Sequence, residues 1–144
     1  MNILKVKTEK RRLGTLGERA AARYLFFHGY FITARNYTGG RTNKLPEIDI
    51  IAHKGDTVAY VEVKTRTLGT EHPNEPRPAS AVTPEKQRKI MQTAAWYKAW
   101  HARKKKMRFD VIEVYVENKN GKVRVKEIKH LIGAYTKDTA CHKR

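Results

Sequence analysis

Three observations on this 144-residue chain predict an α/β fold, a mixed sheet flanked by helices. Two segments carry helical apolar spacing and five read as strands, in the order helix, three strands, helix, two strands. The two strands at its centre, with IDIIA and VAYVEV runs, are too apolar for sheet edges. The length suits one domain with its own core, and no internal repeat is present.

The elements follow in chain order. Residues 1–12 are basic and lack a period, so they are expected to be a flexible arm ahead of a domain spanning 13–133. Residues 15–28 predict the first helix. Glu18, Ala21, Ala22 and Leu25 share one face, and Gly29 ends the run. Thr15 and Glu18 have capping-box spacing, so Glu18 either bonds back to the helix start or projects from the buried face toward a site on the sheet. Residues 30–37 form a strand, and 38–46 a loop with glycines and a proline. A hairpin over 47–53 and 58–66 turns at Lys54-Gly55-Asp56. Residues 67–82, with Pro73, Pro76 and Pro78, form a long loop able to close over a substrate.

Thr83-Pro84-Glu85 opens the second helix with an N-cap, a first-position proline and an acid. Ile90, Ala94, Ala95 and Tyr97 give it an apolar face, and it runs to about 102. Strands at 107–117 and 122–130 surround a turn at 118–121, and a loose tail is expected from 134 to 144.

Lys and Arg number 31 against 14 Asp and Glu, a formal charge of +17. That excess favours a polyanion, nucleic acid before an anionic membrane surface. No segment is apolar enough to span a bilayer, and no signal peptide is evident. With one cysteine, Cys141, a reducing cytoplasmic setting is expected. Histidines such as His53, His72 and His101 lack zinc-ligand spacing, and there is no P-loop. Trp96 and Trp100, four apart on the second helix, either stack on bases or pack on the sheet, packing being the commoner use.

The chemistry concentrates in the hairpin. Asp49 lies in its first strand; Glu62 and Lys64 share a face of its second. A carboxylate and an ammonium inside apolar strands need partners or an ion. Two carboxylates on adjacent strands suit Mg²⁺ or Mn²⁺, with the Val63 carbonyl as a further ligand. Such a metal polarises a phosphodiester and activates water, and Lys64 can orient that water or stabilise developing charge. The competing reading is a surface salt bridge with Asp49 nearby by accident, which the apolar flanks disfavour.

The spacing of Asp49 and Glu62-Val63-Lys64 resembles the PD-(D/E)xK nuclease motif, with Ile48 at the position of its proline. The chain resembles the YraN-like proteins, relatives of archaeal-type Holliday junction resolvases, more closely still. The resemblance runs through Leu16 to Ala21, Gly29-Tyr30, Ala34 to Tyr37, Glu47-Ile48-Asp49, Val61 to Arg66, Lys86 and Arg108 to Val111. Pro46 departs from that pattern, which has glycine there. A RecB-type exonuclease pattern is not met, because Gln92 lies five rather than four before Tyr97.

The resemblance implies a restriction-endonuclease-like α/β/α core. It matches Glu18 to a helical glutamate that completes the metal site, and so favours the site role. Glu47, on Asp49's face, becomes a supporting group. The resulting expectation is a metal-dependent endonuclease acting on structured or branched DNA, with a homodimer implied by the resolvase relatives. Glu18, Asp49, Glu62 and Val63 would hold Mg²⁺ or Mn²⁺, and Lys64 would assist. Arg66, Lys86 and the run Arg103-Lys104-Lys105-Lys106 would hold phosphates. The alternatives are an inactive nucleic-acid-binding module on a nuclease scaffold, and a basic partner of a membrane or ribosomal assembly.

Overall fold

The computed structural model describes residues 2–39, 47–69 and 82–137. The order is α1 (Ile3–Phe27), β1 (Phe31–Tyr37), β2 (Ile48–Lys54), β3 (Thr57–Thr67), α2 (Pro84–His101), β4 (Lys106–Lys119) and β5 (Lys122–Tyr135). The strands form one five-stranded sheet in the order β1-β2-β3-β4-β5. Among the described residues only the β3–β4 pair is parallel, and α2 lies in the crossover between them. This is the predicted α/β architecture, with β3 at the centre of the sheet.

Side-chain alternation along the strands builds two cores. Ala52, Ala59, Val61, Ile112 and Val114 meet Ala21 and Leu25 of α1. Ile51, Val58, Tyr60, Phe109 and Val111 meet Ile90, Ala94 and Tyr97 of α2. The sheet therefore lies between the two helices. The hairpin turns as predicted: Lys54 pairs with Thr57, and Gly55 supplies a φ of 60°. At the end of α1 Gly29 has φ 84°.

Several boundaries differ from the sequence expectation. α1 starts at Ile3 rather than Thr15, with Asn2 accepting from the Leu4 N–H as its cap. The basic segment read as an arm is thus helical. Thr15 is interior and its hydroxyl donates to the Arg11 carbonyl, so the Thr15–Glu18 capping box is not formed. β5 extends past 130 to Tyr135, whose ring is buried and stacks on Phe109. The start of the expected loose tail therefore belongs to the sheet. Trp100 is 66% exposed, so it does not pack on the sheet, and Ala95 is exposed on the outer side of α2. The loops at 40–46 and 70–81, His72, and residues 138–144 with Cys141 lie outside the described residues. Among the described residues no helix is long and apolar enough to cross a membrane.

Candidate active site

The site forms where β2 and β3 part. Their ladder reaches Ile50–Val61, one step short of Asp49 and Glu62. Beyond it β2 stays paired to β1 through Ile48–Tyr37, while β3 stays paired to β4 as far as Thr67–Val116. In place of a ladder bond, the Val63 N–H donates to Asp49 Oδ2 at 2.8 Å. A carboxylate thus takes the place of a backbone acceptor and is fixed at the fork.

A cleft of about 590 Å³ opens there, lined by Glu18, Asp49, Glu62, Val63, Lys64 and Arg66 among others. Five of these are the residues predicted to hold or assist a metal, and Arg66 was predicted to hold phosphate. Glu18 reaches the cleft because α1 packs closely on β3. A Cβ at Gly17 would lie 1.8 Å from Thr65 Oγ1, so only glycine allows this approach.

The electrostatics of the cleft are strained. Burial, followed by the charge of Glu62, pushes the Asp49 carboxyl up to about 7, against the bond from Val63. Burial also raises Glu18, opposed by Arg35 and reinforced by Glu47 and Glu62. Glu62 is compensated: its Oε1 lies 2.6 Å from Lys86 Nζ and 3.5 Å from Lys64 Nζ. Among the described residues no group of three or more His, Cys, Asp or Glu side chains stands ready to hold a metal ion. The donor set itself is all hard oxygen, and two of its carboxylates are held away from their charged form. That chemistry fits Mg²⁺ or Mn²⁺ once the carboxylates converge.

The predicted phosphate contacts divide. Lys86, from the first turn of α2, is engaged with Glu62. Arg66 lines the cleft, and its Nε lies 3.5 Å from Glu113 Oε2. The 103–106 run sits elsewhere. Lys105 Nζ donates to the Gly55 carbonyl at the β2–β3 turn, and Lys106 pairs with Asp56. Because Lys106 lies beside Thr57, five residues before Glu62, this run is about 17 Å along the strand from the fork.

Two neighbours of the cleft were missed from sequence. Glu113 is buried and accepts a hydrogen bond from the Tyr115 hydroxyl, beside Arg66. It carries the signal that marked Asp49, a carboxylate inside an apolar strand. Lys10 lines the cleft from α1. Its position, eight residues before Glu18 on the same helix, was legible only if that helix began before Thr15.

A sequence model of the uncharacterised protein family UPF0102 matches residues 17–114, which include Glu18, Asp49, Glu62, Lys64 and Lys86. The chain is 39% identical over 131 residues to a UPF0102 protein of Acetivibrio thermocellus, covering 90% of this chain and 95% of that one. It is 38% identical over 133 residues to one of Chlorobium phaeobacteroides, covering 90% and 98%. A third, from Caldicellulosiruptor saccharolyticus, is 41% identical over 123 residues, covering 84% and 97%. The chain therefore belongs to the UPF0102, or YraN-like, family.

Proposed function

We propose that this protein is a metal-dependent endonuclease that hydrolyses phosphodiester bonds in structured or branched DNA. The observation that carries the reading is the fork between β2 and β3, where Asp49 and Glu62 share a cleft with Glu18 and Lys64. Holding Asp49 near a pKa of 7 disfavours its ionised form, as expected of a site built to receive a cation. The charge of +17 supplies the attraction to a polyanion.

Glu18, Asp49, Glu62 and the Val63 carbonyl would hold one or two Mg²⁺ or Mn²⁺ ions. A bound ion would supply an activated water and stabilise charge on the phosphate. Lys64 Nζ, 3.5 Å from Glu62 Oε1, would donate to the attacking water and to the oxygen that gains charge. Arg66 would hold a flanking phosphate from the cleft wall. Lys86 would turn from Glu62 to phosphate once a metal neutralises that carboxylate. A homodimer would match the symmetry of a branched junction.

One observation favours a second reading, a nucleic-acid-binding module without cleavage. Lys86 already neutralises Glu62 at 2.6 Å, which leaves less demand for a metal. The test is cleavage of labelled linear duplex, single strand, flap and four-way junction with Mg²⁺, Mn²⁺ or chelator. The nuclease reading expects cutting that depends on the metal and disappears in Asp49→Asn. Equal cutting by both proteins would refute the site, and binding without cutting in any metal would leave the binding module.

A further inference from the structure

Ahead of Leu13, which packs against the core, α1 contributes no buried residue. The buried residues of α1 are Gly17, Ala21 and Leu25, and all lie in its second half. Ile3 to Arg12 is exposed apart from a half-buried Val6. This segment carries Lys5, Lys7, Lys10, Arg11 and Arg12 against a single acid, Glu9. Among the described residues none of these five cations makes an ion pair. Its first turn has no acidic residue, although the positive end of a helix dipole favours one. Neither core burial nor helix electrostatics accounts for this charge pattern.

The placement of the segment suggests what does. Leu25, Ala21 and Gly17 form the stripe that packs on the sheet. Continued toward the N-terminus at helical spacing, that stripe becomes Gly14, Lys10 and Lys7. Gly14 and Lys10 line the same cleft as Glu18, Asp49 and Glu62. Gly14 is interior to the helix, and nothing lies within 4 Å of where its Cβ would be. Unlike Gly17, it is not required by packing, and it leaves the helix backbone open to close approach.

We infer that residues 3–14 of α1 form a basic rail that carries the backbone of duplex DNA past the cleft, with Lys7 and Lys10 on the phosphates nearest the carboxylates. The rail is about 18 Å long, and a duplex presents about one negative charge per 1.7 Å of its axis. Charge complementarity is therefore dense along its whole length. The choice of duplex DNA as partner rests on the nuclease reading. The 103–106 run, at the other end of the sheet, is left without a part in holding the scissile region.

The test is binding of a fluorescein-labelled 30-base-pair duplex, followed by anisotropy in chelator at a series of salt concentrations. Lys7→Gln/Lys10→Gln should lower the slope of log affinity against log salt by about 1.8, roughly 0.9 for each phosphate no longer neutralised. Affinity at the low-salt end should fall about ten-fold or more. Lys7→Arg/Lys10→Arg, which keeps the charge, should bind as the parent does. Lys98→Gln, near the far end of α2, should stay within about two-fold of the parent in affinity. Circular dichroism confirms that each variant keeps its helix.

A slope unchanged in the glutamine double variant, or matched per charge by Lys98→Gln, overturns the rail. Tighter binding to phosphatidylserine vesicles than to the duplex, lost in the same double variant, overturns the choice of partner. Cleavage plays no part in these readouts. Cutting activity with an unaltered slope would remove the rail and leave the nuclease reading, whereas an altered slope without cutting would support the rail alone.

Discussion

Asp49 and Asp110 are two carboxylates in strands of one sheet, and their surroundings are opposite. Asp110 is fully buried. Its oxygens accept from Arg108 at 2.9 and 2.8 Å, from His130 Nε2 at 2.7 Å and from the Gly133 N–H at 3.0 Å. β5 shifts register beside it, and Gly133, at φ 61°, turns its N–H toward the carboxylate. Although burial opposes ionisation, the bonds from His130 and Arg108 hold Asp110 below its ordinary range. Among the described residues Asp49 has one backbone donor, Val63, and burial, then the charges of Glu62 and Glu18, push it the other way. A carboxylate satisfied on every side ties β4 to β5. One left short of donors among other carboxylates is available to a cation.

Mutations should separate the two most sharply. Asp110→Ala leaves His130 and Arg108 without their acceptor and should destabilise the fold by about 3 kcal/mol. Asp49→Asn keeps an acceptor for Val63 and removes a repelled charge. It should raise stability at neutral pH, by at most about 4 kcal/mol, the full size of the Asp49 shift, while abolishing cleavage. Urea unfolding reads both, and a loss of stability in Asp49→Asn equal to that in Asp110→Ala would erase the contrast.

A smaller effect is expected from two glycines of α1. Gly17→Ala forces a Cβ onto Thr65, whose Cβ and Cγ2 block the escape at 3.0 and 3.3 Å. It should cost about 2 kcal/mol and displace Glu18 from the cleft. Gly14→Ala meets open space and should gain about 0.5–1 kcal/mol in helix stability. Thermal unfolding midpoints moving in the same direction for both would contradict the close approach at Gly17.

The pH dependence sharpens the comparison further. Asp49 is raised from an ordinary value of 3.8 to about 7, so the unfolded chain ionises first. Its contribution is absent below 3.8 and becomes increasingly unfavourable up to about pH 7, above which it is constant. Asp110 is lowered, so its contribution is complete above 3.8 and is lost as pH falls through its folded value. Asp49→Asn should therefore remove a downward slope of stability between about pH 4 and 7 and leave the acid limb intact. An unchanged slope across that window would contradict the charge strain at the fork.

The sheet and the fork were legible because their signals are local. A carboxylate within an apolar strand marks itself, and Gly55 with Asp56 marks the turn. The start of α1 was not legible, because residues 3–12 have no apolar period and the helix there buries no face. The misplaced Thr15 cap follows from that same error. The position of Lys104 and its neighbours depends on how β4 registers against β3, a long-range pairing that no local pattern encodes. The partner of Lys86 likewise follows from α2 docking its first turn beside Glu62. Glu113 carried a readable signal, but its relation to Arg66 required that same β3–β4 register.

The central claim is that the strained carboxylates at the fork form a cation site. Titration of the full chain with Mn²⁺ at about pH 8, above the raised Asp49 value, followed by the paramagnetic signal of the free ion, tests it most directly. Saturable binding that is lost in both Asp49→Asn and Glu62→Gln is the predicted result. Binding of equal strength in the parent and both variants, or none in the parent, would contradict it.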